Sequence, residues 1–164
     1  MQLQGNTHVY GNNIDTDRII PGKYTKTLDT SQLAAHVLED LDPKFKENVK
    51  EGDIIVADNN FGCGSSREQA PLALKSAGIS IVIARSFARI FFRNAINIGL
   101  PVIEVPDHHI EKGDIVEVDL SEGIVFNLTR NEKYYGTTMP LVMIDILQEG
   151  GLISYLKKNK DYIL

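Results

Sequence analysis

The apolar residues fall into blocks whose spacing alternates between strand-like and helix-like. Asn6 to Tyr10 reads as a first strand, followed by the polar run Gly11-Asn12-Asn13 and then Asp15-Thr16-Asp17. Ile19 to Thr27 is a loop punctuated by Pro21 and Gly22. From Ser31 to Leu41, Leu33, Ala34, Val37, Leu38 and Leu41 recur on one helix face, and Asp29 or Thr30 can cap its start. Asp42-Pro43 closes that helix, and a short helical turn follows over Lys44 to Val49. Asp53 to Ala57 carries Ile54, Ile55 and Val56 in succession, the mark of a compact buried strand. A helix is predicted from Arg67 or Glu68 to Ala77, with Pro71 confined to its first turn or causing a kink. Gly78 suits the left-handed position past its end. Ile79 to Ala84 is another buried strand. Ser86 is expected to cap a helix with the apolar face Phe87, Ile90, Phe91, Ala95 and Ile98, stopped by Gly99 and Pro101. Val102 to Val105 is a third short strand.

Residues 53 to 105 thus read strand–helix–strand–helix–strand, which implies parallel pairing with right-handed crossovers. The pattern then changes. Gly113 to Leu120 alternates and Gly123 to Leu128 answers it, an antiparallel hairpin to which Lys133 to Tyr135 can add. Pro140 opens a helix to Gln148, Gly150-Gly151 breaks it, and Leu152 to Lys158 forms a last helix before a solvated tail, Lys157 to Asp161. The expected fold class is α/β: one domain over residues 1–164, a mixed sheet with flanking helices and no internal linker.

Composition narrows the function. The chain has 164 residues, 43% of them hydrophobic, enough for one core. No apolar run reaches membrane-spanning length. The start, Met1-Gln2-Leu3-Gln4-Gly5, lacks the basic and apolar regions of a secretory signal, so the cytoplasm is the expected location. Net charge is −5 with Lys and Arg scattered, which argues against nucleic acid as a partner. An anionic ligand would have to be held by a few local cations. The lone cysteine, Cys63, excludes an intrachain disulfide and a self-contained iron–sulfur cluster.

Phe61-Gly62-Cys63-Gly64-Ser65-Ser66-Arg67-Glu68 is the most informative segment, a strand-to-helix turn with glycines, hydroxyls and an arginine. Glycines allow positive φ and close backbone approach, and N–H groups at a helix start favour anions. Arg67 can grip a carboxylate through two parallel hydrogen bonds. The same donors would ease deprotonation of a neighbouring hydroxyl. The phosphate-loop spacing is missing. Two readings stay open on residues alone: a small-anion site with an activated serine, or a tight turn whose serine caps a helix. Cys63, with no histidine near it in sequence, reads as a packed thiol. His108-His109 reads as a surface loop, since adjacent rings do not readily face one metal. Asp15 and Asp17 are expected to cap the loop or pair with an arginine, and Arg89 to support the site.

The run Asn60 to Glu68 resembles the signature of the aconitase swivel domain, and so does Ser86-Phe87-Ala88-Arg89-Ile90-Phe91-Phe92-Arg93-Asn94. Asp15-Thr16-Asp17 with Ile19-Ile20-Pro21 is similar to that family's opening segment. The likeness runs from about Gly5 to the C-terminal helix, and the length matches free-standing small subunits of isopropylmalate dehydratase and homoaconitase rather than fused aconitases. The resemblance implies a swivelling β/β/α fold of the aconitase type. It implies a large partner subunit that carries a [4Fe–4S] cluster, with no cofactor or metal on this chain. It implies a hydro-lyase that removes and re-adds water across a hydroxy di- or tricarboxylic acid. Carried over, Ser65 is the catalytic base, Ser66 and Arg67 hold a substrate carboxylate, and Gly64, Asp15, Asp17 and Arg89 support them.

In this family the loop after Asp15-Thr16-Asp17 helps to set the substrate. Here it reads Lys23-Tyr24-Thr25-Lys26-Thr27, so Tyr24, Thr25 and Lys26 are candidate substrate-binding residues. Lys26 falls about where homoaconitase-like members place arginine, and a surface lysine is the alternative. Isopropylmalate is the favoured substrate; homoaconitate, 2,3-dimethylmalate and citramalate are alternatives. A ligand- or RNA-binding module that reuses the fold is the non-enzymatic alternative.

Overall fold

The computed structural model describes residues 1–160. Its strands are β1 (Gln2–Val9), β2 (Ile54–Ala57), β3 (Ile81–Ala84), β4 (Val102–Glu104), β5 (Ile115–Asp119), β6 (Ile124–Asn127) and β7 (Glu132–Tyr135). The helices are α1 (Thr16–Ile19), α2 (Thr30–His36), α3 (Phe45–Asn48), α4 (Gln69–Ser76), α5 (Arg89–Ile98), α6 (Leu141–Gln148) and α7 (Leu152–Asn159). One seven-stranded sheet runs in the order β4-β3-β2-β1-β5-β6-β7. The expected class, an α/β fold with a mixed sheet and flanking helices, is the one observed.

β1 is the seam of this sheet. It pairs in parallel with β2, Thr7 opposite Ile54, and antiparallel with β5, Gly5 opposite Val116. The parallel half reads as unbroken apolar runs because both faces are covered: every residue of β2 and β3 is buried. The antiparallel half alternates instead, as β6 does, with one face in contact with the core. Where the halves meet, His8 and Asp53 form a buried pair, Nε2 to Oδ2 at 2.7 Å, and Asp53 also accepts from the Lys50 N–H at 3.0 Å. A buried carboxylate with fewer partners would be costly, so this pair ties the end of β1 to the residue that precedes β2.

Three elements differ from the sequence reading. β1 begins at Gln2, not Asn6, because pairing with β5 supplies the hydrogen bonds while Gln2 and Gln4 face solvent. The helix expected to reach Leu41 stops at His36. Leu38 adopts φ of 57° and its N–H bonds the Ile19 carbonyl at 2.7 Å, with the side chain fully buried. Left-handed backbone costs roughly 1–2 kcal/mol, and burial of a leucine returns roughly 1.5–3 kcal/mol, so tertiary packing overrides the helical period. Ser86 does not cap α5: the cap position is Ala88, and the Ser86 hydroxyl accepts from the Asn60 N–H at 2.8 Å. α5 correspondingly buries Phe91, Ala95 and Ile96, and leaves Ile90 half exposed. Pro71 falls in the first turn of α4, where its missing N–H costs no helical bond. Lys157 and Lys158 are exposed as expected, while Asp161 lies outside the described residues.

His108 is buried and accepts from the Ile110 N–H through Nδ1, rather than lying in a surface loop. Burial lowers its pKa below the usual histidine value, Arg85 and His109 act the same way, and Asp58 opposes them. The native state therefore favours the neutral ring, and the unfolded chain binds the proton first. Its contribution to stability is full above about pH 6.5 and is lost as pH falls below that value. We expect the thermal midpoint to drop between pH 7 and pH 5, and His108→Gln to make that drop shallower. A drop of equal steepness in the variant would assign it to other groups.

Candidate functional site

The chain leaves β2 at Ala57 and reaches α4 through residues 58–68. Phe61 anchors this turn in the core, edge-on to Phe87 at 5.9 Å and to Phe91 at 5.2 Å. Beyond it Gly62 and Gly64 have φ of 82° and 91°. A Cβ on Gly62 would lie 2.2 Å from Cγ of Phe91, and one on Gly64 would lie 2.4 Å from Oδ2 of Asp15. Both glycines are thus required twice over, by conformation and by space.

The segment that follows β1 lies alongside this turn. The Gly62 N–H bonds the Ile14 carbonyl and the Thr16 N–H bonds the Cys63 carbonyl, each at 2.8 Å. The Thr16 hydroxyl donates to the Ser65 carbonyl, also at 2.8 Å. Asp15 caps α1 by accepting from the Asp17 N–H at 2.8 Å. Asp17 in turn pairs with Arg67, Oδ1 to Nη2 at 2.9 Å. Arg67 Nη1 donates to the Thr25 hydroxyl at 3.0 Å. Its guanidinium is therefore aimed from two sides, and its Nε is buried with no hydrogen-bond partner among the described residues. Asp17 is half exposed, so the ion pair orients Arg67 more than it stabilises the fold.

A pocket of about 230 Å³ opens over the turn. Thr16, Ser65, Ser66 and Arg67 form one wall; Ala88, Arg89, Ile90, Phe91 and Asn94 form the other. Ser65 and Ser66 are exposed, and the N–H groups of Ser65, Ser66 and Arg67 donate to no group among the described residues. α4 begins without a side-chain cap. The wall so presents hydroxyls, free backbone donors and an oriented guanidinium, a set that suits a carboxylate and a developing alkoxide.

Of the candidate residues, Ser65, Ser66, Arg67, Gly64 and Arg89 line this pocket, and Asp15, Asp17 and Thr25 stand directly behind them. Tyr24 and Lys26 do not line it. The Tyr24 ring stacks on His36, centroids 3.8 Å apart, and Lys26 is exposed. Thr16, Ile90 and Asn94 also line the pocket, and the sequence does not mark them as site residues. Asn94 and Ile90 read as parts of an ordinary amphipathic helix, and long-range contacts, the bridge between Phe61 and Phe87 among them, bring that helix start to the turn. Cys63 is half-buried; desolvation first, and Asp15 second, push its thiol pKa up, which fits packing and not nucleophilic attack. Among the described residues no group of three His, Cys, Asp or Glu could hold a metal ion.

The aconitase C-terminal domain family matches residues 44–108. The 3-isopropylmalate dehydratase small subunit of Clostridium beijerinckii is 54% identical over 161 residues, 97% of this chain and 100% of that protein. The Aquifex aeolicus protein of the same name is 53% identical, covering 97% of this chain and 96% of its own length. The crystal structure of 3-isopropylmalate dehydratase (leuD) from Methanocaldococcus jannaschii superposes with a TM-score of 0.92 at 49% identity, over 98% of this chain and 96% of that one.

The crowding at the turn can be measured directly. Gly62→Ala would force a Cβ into the Phe91 ring and strain a positive φ, so we expect a stability loss of roughly 2–4 kcal/mol in a denaturant titration. A loss under about 0.5 kcal/mol would mean that the turn relaxes freely.

Proposed function

The chain belongs to the 3-isopropylmalate dehydratase small-subunit family, and from that membership we propose that it works as one half of a hydro-lyase. The reaction interconverts 2-isopropylmalate and 3-isopropylmalate by removing water and adding it back. One observation carries the reading: Ser65 and an Arg67 aimed by Asp17 and Thr25 share one open pocket.

In the proposed mechanism the Ser65 Oγ, as alkoxide, takes the proton from the substrate carbon beside the departing hydroxyl. The free N–H groups of residues 65–67 and the Arg67 charge stabilise that alkoxide, which water alone would not. Ser66 and Arg67 hold a carboxylate and so fix which carbon faces Ser65. Gly64 keeps the backbone close, Asp15 and Asp17 fix the turn, and Arg89 completes the opposite rim. A branched alkyl group fits against Ala88, Ile90 and Phe91. Lys26 lies outside the pocket, and Arg89 is the second cation beside Arg67; the relatives' shared name favours isopropylmalate over homoaconitate.

This chain does not fit an iron–sulfur cluster: it has a single thiol whose pKa burial raises. The Lewis-acid chemistry at the leaving hydroxyl is therefore assigned to a [4Fe–4S] cluster on a large partner subunit. The relatives' names, as small subunits, support such a partner. We read residues 1–164 as one swivel domain acting in the cytoplasm; no helix among the described residues is long and apolar enough to cross a membrane.

The test is reconstitution with the large subunit. The chain alone should be inactive, and the complex should turn over isopropylmalate. Ser65→Ala should lower kcat by about 10²- to 10⁴-fold while the subunits still co-purify. Arg67→Lys should raise KM by about ten- to a hundredfold, since a point charge replaces a two-pronged donor. Loss of assembly with Ser65→Ala would make the serine structural. Turnover of homoaconitate or dimethylmalate, and not isopropylmalate, would move the substrate assignment.

A further inference from the structure

Thr16 carries no assigned role, yet it makes two hydrogen bonds to the turn that holds Ser65. It is 2% exposed. Its N–H bonds the Cys63 carbonyl and its hydroxyl bonds the Ser65 carbonyl, both at 2.8 Å. These two carbonyls flank Gly64, one of the two positive-φ glycines of the turn, with φ of 91°. One threonine therefore straddles the glycine that directly precedes the proposed base. Thr16 is itself well fixed: it opens α1, it lies beside the capping residue Asp15, and the Ile20 N–H bonds its carbonyl at 2.9 Å.

We propose that Thr16 is the positioning residue for Ser65. Its hydroxyl sets the peptide plane at Ser65 and through it the direction of the Ser65 side chain and the adjoining N–H groups. The inference rests on Ser65 being the base, and it adds a requirement that this reading does not contain. The hydroxyl acts only through the backbone, so it affects the geometry of proton transfer more than it affects substrate affinity. A misplacement of about 1 Å at a reacting group can lower a rate by about 10²-fold.

The test uses the reconstituted complex. Thr16→Val keeps the shape and removes the hydroxyl; Thr16→Ser keeps the hydroxyl. Thr16→Val is expected to lower kcat by about ten- to a hundredfold with KM within about threefold of the parent and co-purification unchanged. Thr16→Ser is expected to restore kcat to within about threefold of the parent. Equal kcat in Thr16→Val and the parent overturns the inference. A rise in KM with kcat unchanged also overturns it, because the hydroxyl would then serve binding. If Thr16→Val does not fold, Thr16→Ala takes its place; failure of both to fold overturns the inference, since the hydroxyl would then hold the fold and not the serine. An unmodified complex with no activity on isopropylmalate, or a fully active Ser65→Ala complex, would instead strike the proposed function on which this rests.

Discussion

Phe91 and the Asp15 carboxylate occupy the volume that side chains at positions 62 and 64 would need. That exclusion keeps both residues as glycine, and glycine in turn permits the positive φ values that bend the chain from β2 toward α4. The bend exposes Ser65 and Ser66 and leaves the N–H groups that follow Gly64 free. The same freedom is a liability, because glycine loses more entropy on ordering than any other residue. Order has to come from neighbours. Phe61 supplies it on the core side through the Phe87 and Phe91 rings, and residues 14–17 supply it on the other through three hydrogen bonds and one ion pair.

Sheet topology explains why those neighbours are available. β1 and β2 are adjacent and parallel, so the segments that leave them emerge at the same edge of the sheet. Open α/β sheets gather ligand sites at the carboxyl ends of parallel strands for this reason. The segment after β1 meets the segment after β2, and α5, which follows β3, closes the pocket from the far side. The antiparallel half contributes no pocket wall here. It pairs with the other edge of β1 and makes that strand an interior one, so that the seam cannot fray.

The sequence was most legible where one local rule acted alone. The apolar runs of β2 and β3 mark strands buried on both faces, and Asp15 and Asp17, which the sequence offers as a cap or an arginine partner, take one role each. It was least legible where distant contacts decided. Nothing near Leu38 announces that its N–H will bond Ile19, and Ser86 in a capping position bonds Asn60 across the fold instead. His108 looked like a loop residue because adjacent histidines in a polar stretch carry no period, and burial there comes from packing beside Tyr134. Thr16 was hidden for a different reason: a threonine between two aspartates looks like ordinary turn chemistry. Its importance lies in which carbonyls it reaches.

The pocket wall is half a site by its own chemistry. It offers an oriented guanidinium, free N–H donors and hydroxyls, all of which bind or stabilise negative charge; none activates a leaving hydroxyl. Burial pushes the pKa of the chain's one thiol up, and the acids behind the wall are committed, Asp15 to a helix cap and Asp17 to Arg67. Ser65 and Ser66 meanwhile stand in solvent, where a serine alkoxide has no lifetime to speak of. Two needs follow from the same surface: a covering that excludes water, and an electrophile to hold the departing oxygen. A partner that docks over this pocket meets both at once. That is why the proposed division of labour between subunits follows from the residues themselves as well as from kinship. It also explains how a chain with net charge −5 can serve an anionic substrate: the attraction is confined to Arg67, Arg89 and a few backbone amides, and in the proposed complex it strengthens once the covering subunit removes the water between them.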